Sequence, residues 1–492
     1  MTNILISAGP GCGKTTTLAE SYLYYKHPIK PMWSQRHNST EQQLDAYKSI
    51  ATHIPGMLTP PIYMAYNNDI VDDIAKKVHG DCKVLTIHGW GYKIIRDRYG
   101  NIPINKSRNE ILISKITNRD LNDLPDKWKW IATSRYVEKL KDELLPISEE
   151  SFSVLREKYD DLAPFKIHEN MVEQASRLLI AMKEIDRRIG ITFADQVWLA
   201  MFILAESGPK YEWGMCDESQ DLSPARLRLV QMLCKHLIFC GDKNQAINAW
   251  NGADPYSMDR ISETCSHFHS LTQSFRLAPN HAEFANSLKP SASLVSSPGK
   301  APGRFERIES NDILPWAEEF YNQDAMVLCR YNAPLIKFGL TLVKKGIAVG
   351  TSSSTLKSSL VDTVKNRNAK SMAELQQKLT TYESICMQGG DEFTKANIKD
   401  KFDAIRYILR ECSSIEEYYD KVNTLTNPRK NSVHVKLSTV HRAKGLEAQT
   451  IGILNPPLQS SKAKTPIQRL QEENVNFVGH TRSKKDMFYL CQ

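Results

Sequence analysis

Short apolar runs alternate with longer stretches of helical periodicity along most of the chain. ILISA (4–8) is the first such run and ends at glycines, as a buried strand entering a turn does. KTTTLAESYLYY follows with helical propensity, and PIYMAY (61–66) and KVLTI (83–87) read as strands with a helix between them. Residues 28–56, rich in Pro, Ser, Gln and His, read as an insertion holding one helix from Thr40 to Ile50. Helical periodicity with little strand signal fills 105–189, broken by prolines at 125, 146 and 164. Strand-like runs return at GMCDE (214–218), LIFCG (237–241) and MVLCR (326–330). The chain closes with VKLSTV (435–440), TIGIL (450–454), NFVGH (476–480) and MFYLC (487–491), all read as strands. Residues 352–432 are rich in Ser, Lys and Glu and mostly helical, with a Gly-Gly at 389–390. Strands alternating with helices predict an α/β protein with parallel sheets, built as two α/β parts, each interrupted by a mainly helical insert. The expected boundaries are 1–95 with 190–270, interrupted by 96–189, and 271–351 with 433–492, interrupted by 352–432. No internal repeat of 20–50 residues is present.

Composition narrows this picture. At 492 residues the chain has room for roughly three domains. A 41% hydrophobic, 24% charged and 9% aromatic content excludes a mainly disordered chain. No run of about 18 apolar residues occurs, so no membrane span is expected. The N-terminus has no basic region, apolar core and cleavage site of a secretory leader. Ten cysteines at 12, 82, 216, 234, 240, 265, 329, 386, 412 and 491 form no CxxC pair, which fits reduced thiols in a cytoplasmic protein. Between Lys76 and Lys141, 15 Lys and Arg stand against 7 Asp and Glu, so this stretch carries the whole net charge of +8. It also holds Trp90, Tyr92, Tyr99, Trp128, Trp130 and Tyr136. Basic residues interleaved with aromatics suit a nucleic-acid surface, and they equally suit a solvated helical region with aromatics in its core.

Two stretches carry chemistry. ILISA runs into GPGCGKTTT. Gly9, Gly11 and Gly13 let the backbone turn so that N–H groups, including that of Cys12, face phosphate oxygens. Lys14 supplies a positive charge for the β- and γ-phosphates, the Thr15 hydroxyl can ligate Mg2+, and Thr16 opens the following helix toward the anion. The strict pattern GxxxxGK(S/T) would place Gly at position 8, where this chain has Ala8. GMCDESQD sets Asp217 and Glu218 directly after an apolar run. An acidic residue at such a strand end can hold Mg2+, and an adjacent Glu can orient or deprotonate an attacking water. On its own, an acidic pair in this place is as readily a helix N-terminus.

These stretches fall into an ordered series that resembles superfamily 1 DNA helicases of the UvrD/Rep/PcrA type. AGPGCGKTTTL looks like their first motif. IYMAYNNDIVDDIAKKV is similar to the AFNKxIA form of F-box DNA helicases and phage relatives. VLTIHGWGYKIIR resembles TxHxxGxxIL, ITFADQVWLA resembles DFxDLL, and MCDESQD resembles DExQD. IFCGDKNQAINAWNGAD is similar to VGDxxQxIYxFxGA, LTQSFRLAPN to LxxNYR, STVHRAKGLEA to TVHxxKGLE, and QEENVNFVGHTRSKK to EExxLxYVAxTRAK.

The resemblance implies two RecA-like lobes with ATP in the cleft between them and a motor stepping 3′ to 5′ along single-stranded DNA. It implies roles for Lys14, Asp217, Glu218, Gln245, Arg276 and Arg482 in hydrolysis, with the two arginines neutralising the phosphoryl-transfer transition state. Phe275 would stack on adenine and Glu447 would bind the ribose. Tyr66 and Trp250 would stack on bases, while Asn68, Thr86, His88, Thr439 and His441 would hold backbone or coupling positions. ATP and Mg2+ are the implied cofactors, and single-stranded DNA and its junctions with duplex the implied partners. Plainer alternatives are a loop cap for Gln245, surface ion pairs for the arginines and core packing for Trp250.

The chain departs from the family pattern in several places. The glutamine motif that precedes the first strand in the family has no room here, and TEQQLDAYKSI in the insertion has a superficially similar form. Asn248 replaces the usual Tyr of QxIY, and Gly479 and His480 replace Ala-x before Thr-Arg. The second insert is short for the family. Two readings therefore stay open: a helicase in replication, repair or recombination, and a DNA-stimulated ATPase subunit of a larger antiviral or recombination assembly with weak unwinding. A small-molecule P-loop kinase is a third, disfavoured by GDKNQAINAW and the two arginines.

Overall fold

The computed structural model describes residues 2–26, 39–53, 59–78, 81–249, 252–320, 323–351, 354–388, 391–426 and 435–491. These residues form a mixed α/β protein divided into two compact units, Met1–Thr272 and Gln273–Gln492. Each holds a six-stranded parallel sheet, the organisation of a RecA-like lobe.

In the first unit the strands are β1 (Asn3–Ala8), β2 (Ile62–Ala65), β3 (Lys83–Thr86), β4 (Tyr211–Cys216), β5 (Cys234–Gly241) and β6 (His267–Leu271). Their order across the sheet is β3-β2-β4-β5-β1-β6. β1 is apolar and buried from Ile4 to Ile6 and at Ala8 because it lies between β5 and β6 inside the sheet. β6 was not expected as a strand. It is an edge strand whose His267, Phe268 and His269 are partly or fully exposed, so its apolar signal is weak. The helix expected in the insertion is present as Glu41–His53. Thr40 Oγ1 accepts from Gln43 N at 3.2 Å and Gln43 Oε1 accepts from Thr40 N at 3.0 Å, a reciprocal cap.

A helical layer interrupts this unit between β3 and β4. The chain enters and leaves it at one neck, where Asn105 N donates to Ile191 O and Ile191 N to Pro103 O. Gly190 sits there at φ +82°, and a Cβ would run into the Pro103 carbonyl. Helices Arg108–Thr117, Lys127–Glu143, Glu149–Lys158 and Met171–Lys183 follow the neck outward. Their core meets the Asp195–Ser207 helix through a fully buried ion cluster, in which Asp195 accepts from Arg108 and, at 2.8 Å, from Lys141 Nζ. The basic, aromatic stretch therefore divides. Trp90, Trp130 and Tyr136 are core residues, Arg108 and Lys141 are buried in the ion cluster, and Trp128 is 69% exposed.

The second unit carries β7 (Gln273–Ser274), β8 (Val295–Ser296), β9 (Phe305–Glu309), β10 (Ala325–Cys329), β11 (Val349–Thr351), β12 (Val435–Thr439), β13 (Ala448–Leu454) and β14 (Ser483–Cys491). The large sheet runs β11-β12-β10-β13-β14-β9, and β7 pairs with β8. Helices Ser354–Lys365, Met372–Met387, Glu392–Leu409 and Ile415–Thr426 lie between β11 and β12. The expected Gly-Gly turn at 389–390 lies outside the described residues. NFVGH (476–480), read as a strand, is instead the end of the Pro466–His480 helix. Thr465 and Gln468 form a capping box and Pro466 stands in the first turn, which starts a helix firmly. Val475, Phe477 and Val478 are all buried in the last turns of this helix, and so short an apolar window does not show the 3.6-residue period that the exposed polar residues of its first half carry. Among the described residues no helix is long and apolar enough to cross a membrane.

Candidate functional site

In a parallel sheet the C-terminal strand ends open onto one edge, where ligands bind. The expected residues of the first unit collect there. After β1 the chain turns through Gly11 (φ +73°) and Gly13 (φ +78°) into the Lys14–Lys26 helix. Cys12 is buried, with its N–H on Gly9 O at 3.2 Å, and Thr16 is exposed. The first N–H groups of a helix lack partners within it, so this turn is a ready anion cradle. Lys14 Nζ reaches back to Ala8 O at 3.4 Å.

Asp217 follows β4, and β4 lies two strands from β1. Thr15 Oγ1 donates to Asp217 Oδ2 at 2.8 Å, and buried Tyr63 donates to the same oxygen at 2.8 Å. Glu218 holds φ +49° and ψ 42°, a left-handed conformation that costs a non-glycine residue about 1–2 kcal/mol. It is kept there by Asp221 N on its carbonyl at 2.9 Å and by Gln220 Nε2 on its carboxylate. Gln220 Oε1 in turn accepts from Asp242 N at 3.0 Å, at the end of β5. Gln245 Nε2 donates to Asp242 Oδ2 at 2.7 Å, so Gln245 braces the loop that carries it.

Three carboxylates thus surround one ammonium. Burial works against the charge of Lys14, but Glu218, Asp242 and Asp217 outweigh it and hold the ammonium above its ordinary value. Asp217 is pushed up by burial and then by Glu218, against the donors Tyr63 and Thr15 and the Lys14 charge. Asp242 is pushed up by burial, against Lys14 and Gln245. The cluster is short of positive charge. Adjacent hydroxyl and carboxylate oxygens at Thr15 and Asp217 form a hard donor pair of the kind Mg2+ takes alongside water and phosphate oxygens, so these residues fit Mg2+.

The expected DNA residues of this unit gather at the ends of β2 and β3, which pair with Ala65 opposite Thr86. Tyr66 is half-buried and Asn68 exposed at the start of the Asn68–Lys77 helix. Thr86 spends its hydroxyl as a helix cap, accepting from Gly89 N at 3.0 Å. His88 stacks on Phe193 at 4.0 Å between centroids. Burial, then Arg226, pushes the imidazole down to about 3, so it is neutral at physiological pH. Phe193 is 61% exposed and was not singled out from the sequence, although ITFADQ had been recognised as a motif. Trp250 lies outside the described residues.

Residues 57–266 match the family model described as UvrD/REP helicase N-terminal domain. Over this stretch the chain is similar to the UvrD/Rep helicases. The matched residues take in Tyr66, Asn68, Thr86, His88, Asp217, Glu218 and Gln245, and begin after the phosphate loop. UvrD/Rep helicases as a family hydrolyse ATP and bind DNA. A comparison with curated proteins finds no match to the chain.

The remaining expected residues assemble within the second unit. Arg276 Nε donates to Glu447 Oε2 at 2.6 Å and its Nη1 to Thr481 O at 3.1 Å. Arg482 is buried, with Nε on Val478 O at 2.9 Å and Nη2 on Thr481 Oγ1 at 3.0 Å, so both arginines meet at Thr481. Glu447 also pairs with Lys484 at 2.7 Å. Burial raises its pKa, but Lys484 and Arg276 prevail and hold it below the ordinary value. Phe275 beside them is 42% exposed. Thr439, at the end of β12, is buried. His441 is pushed well below its ordinary value by burial, then by Arg330, Arg442 and Lys444. The glutamines of TEQQ are both engaged in the first unit. Gln42 Nε2 meets Thr272 Oγ1 at 3.0 Å and Gln42 Oε1 accepts Thr272 N at 2.9 Å, while Gln43 Nε2 donates to Thr17 Oγ1 at 2.9 Å.

Proposed function

We propose that the chain is an ATP-driven translocase and helicase that steps 3′ to 5′ along single-stranded DNA. The observation that carries this reading is the joining of the glycine-rich loop to the acidic strand end through Thr15 and Asp217, 2.8 Å apart. The loop N–H groups and Lys14 hold the phosphates of ATP. Thr15 and Asp217 would hold Mg2+, which would supply neutralising charge for phosphoryl transfer. Glu218, pinned beside Asp217 in its left-handed conformation, orients and deprotonates the attacking water. Gln245, tied to Asp242, reports loss of the γ-phosphate to the loop that follows it. Arg276 and Arg482 bring the positive charge that phosphoryl transfer calls for, Phe275 stacks on adenine and Glu447 binds the ribose.

Single-stranded DNA runs over the ends of β2 and β3, where Tyr66, Asn68 and His88 lie. Phe193, exposed and backed by neutral His88, gives a flat face on which a base stacks regardless of sequence. Thr439 and His441 of the second unit are further DNA contacts in this reading. The test is strand displacement on duplexes carrying a single-stranded tail at one end. Displacement with 3′ tails and ATP, and none with 5′ tails, is the expected result. DNA-stimulated hydrolysis without displacement on either substrate would favour the regulatory ATPase subunit instead.

A further inference from the structure

We propose that Asp142 is a positioning residue that couples the nucleotide site to the helical layer of the first unit and sets how strongly DNA accelerates hydrolysis. The proposal rests on the reading of the chain as a DNA-dependent ATPase. Asp142 lies next to the end of the Lys127–Glu143 helix and belongs to no motif of the series. Its Oδ1 accepts from Ser223 Oγ at 2.6 Å and its Oδ2 lies 3.7 Å from Arg226. Ser223 is fully buried and caps the Pro224–Leu233 helix, accepting from Arg226 N at 3.3 Å. That helix begins directly after the segment that carries Asp217 and Glu218.

The same carboxylate also meets the segment that follows Gln245. Gly252 stands at φ +88°, and a Cβ there would overlap Asp142 Oδ2 and crowd the Tyr159 hydroxyl. Only glycine gives both that backbone conformation and that approach. Asp254 N donates to Leu222 O at 3.0 Å, so the segments behind Glu218 and behind Gln245 are tied to each other where Asp142 touches them. On its own side Asp142 is backed by Tyr159, whose hydroxyl donates to Glu143 at 2.5 Å and whose ring lies under Lys139 at 4.0 Å.

One side chain of the helical layer therefore bears on both loops that respond to the γ-phosphate. Asp142 reaches these partners from the wall of a cavity of about 220 Å³ that His88, Phe193 and Arg226 also line, so the contact is carried by its bond to Ser223 and its fit against Gly252. A shift of Glu218 or Gln245 on hydrolysis moves Ser223 and Gly252 against Asp142, and with it the Lys127–Glu143 helix. Coupling of this kind is reciprocal in binding free energy, so DNA on the His88–Phe193 stack, which lines one cavity with Asp142 and Arg226, and nucleotide at the loops favour each other's binding.

The experiment measures steady-state ATP hydrolysis by the full chain with and without oligo(dT), for the unaltered protein, Asp142→Ala and Asp142→Asn. Asp142→Ala should lower the fold-stimulation by DNA about tenfold, with the DNA-free rate and the KM for ATP within about twofold of the unaltered protein. Asp142→Asn keeps an oxygen facing Ser223 and should retain most of the stimulation. A purely structural role would instead lower the DNA-free rate and thermal stability together and leave the stimulation ratio intact. An unchanged ratio in Asp142→Ala, with the unaltered chain clearly stimulated, overturns this proposal alone. An unaltered chain indifferent to DNA overturns the parent reading and this one with it.

Discussion

Removing the Asp195 carboxylate should unfold the junction between the helical layer and the first sheet. Asp195 is fully buried and accepts from Arg108, from Lys141 Nζ at 2.8 Å and from Thr192 N at 2.8 Å. Asp195→Ala would leave two buried cations without that partner. Such a loss costs about 3–5 kcal/mol, because the remaining charges stay desolvated. The same carboxylate should make stability depend on pH. Burial works against the Asp195 charge, but Lys141 and Arg108 prevail and bring the carboxyl from 3.8 to about 2. At 1.36 kcal/mol per pH unit the carboxylate form stabilises the fold by about 2 kcal/mol. A folded-state value below the unfolded one means that this contribution is complete above about pH 4 and is lost as pH falls through about 2. The assay is urea unfolding followed by tryptophan fluorescence, since seven of the eight tryptophans precede residue 272 and report the first unit. At pH 7 the variant should lose about 3–5 kcal/mol, and the gap to the unaltered chain should narrow as pH approaches 2. A loss below about 1 kcal/mol at pH 7 would refute the reasoning, since only an exposed pair is worth so little.

Three further outcomes follow from particular contacts. Tyr63→Phe removes a hydrogen bond to a buried carboxylate and should cost about 1.5–3 kcal/mol in urea unfolding; no change would mean that Asp217 does not depend on that donor. Gln43→Ala breaks the bond to Thr17 on the phosphate-loop helix together with the Thr40 cap, and should lower stability by about 1–2 kcal/mol in the same assay. Phe193→Ala should weaken oligo(dT) binding by about 1–3 kcal/mol in fluorescence anisotropy, the worth of one stacked base, while DNA-free hydrolysis is unchanged. Unaltered binding in that variant would take Phe193 out of the DNA path.

What could be read from the sequence was what the backbone decides locally. The glycines before Lys14, the acidic pair after an apolar run and the helix expected from Thr40 each rest on patterns within a few residues, and each stands in the structure where its pattern placed it. Partners distant in the chain left no such trace. Tyr63 meets Asp217 only because β2 lies beside β4, and a lone Tyr in a strand says nothing of that. The His88–Phe193 stack joins residues from two separate motifs, each recognised but not connected. Charge counting misled in part, since Arg108 and Lys141 raise the basic balance of 76–141 yet are consumed inside the unit by Asp195. The helix at 476–480 was lost for a different reason: these residues are the buried last turn of Pro466–His480, and a five-residue apolar window cannot be told from a strand by its period.

The central claim is that hydrolysis at the Lys14–Asp217 site is driven by DNA. Its most direct test is steady-state ATP hydrolysis by the purified chain, with and without single-stranded DNA, alongside Lys14→Ala. A rate strongly raised by DNA and abolished in Lys14→Ala is the predicted result. A rate indifferent to DNA would contradict the claim, leaving an ATPase whose nucleotide site is intact and whose connection to nucleic acid is absent.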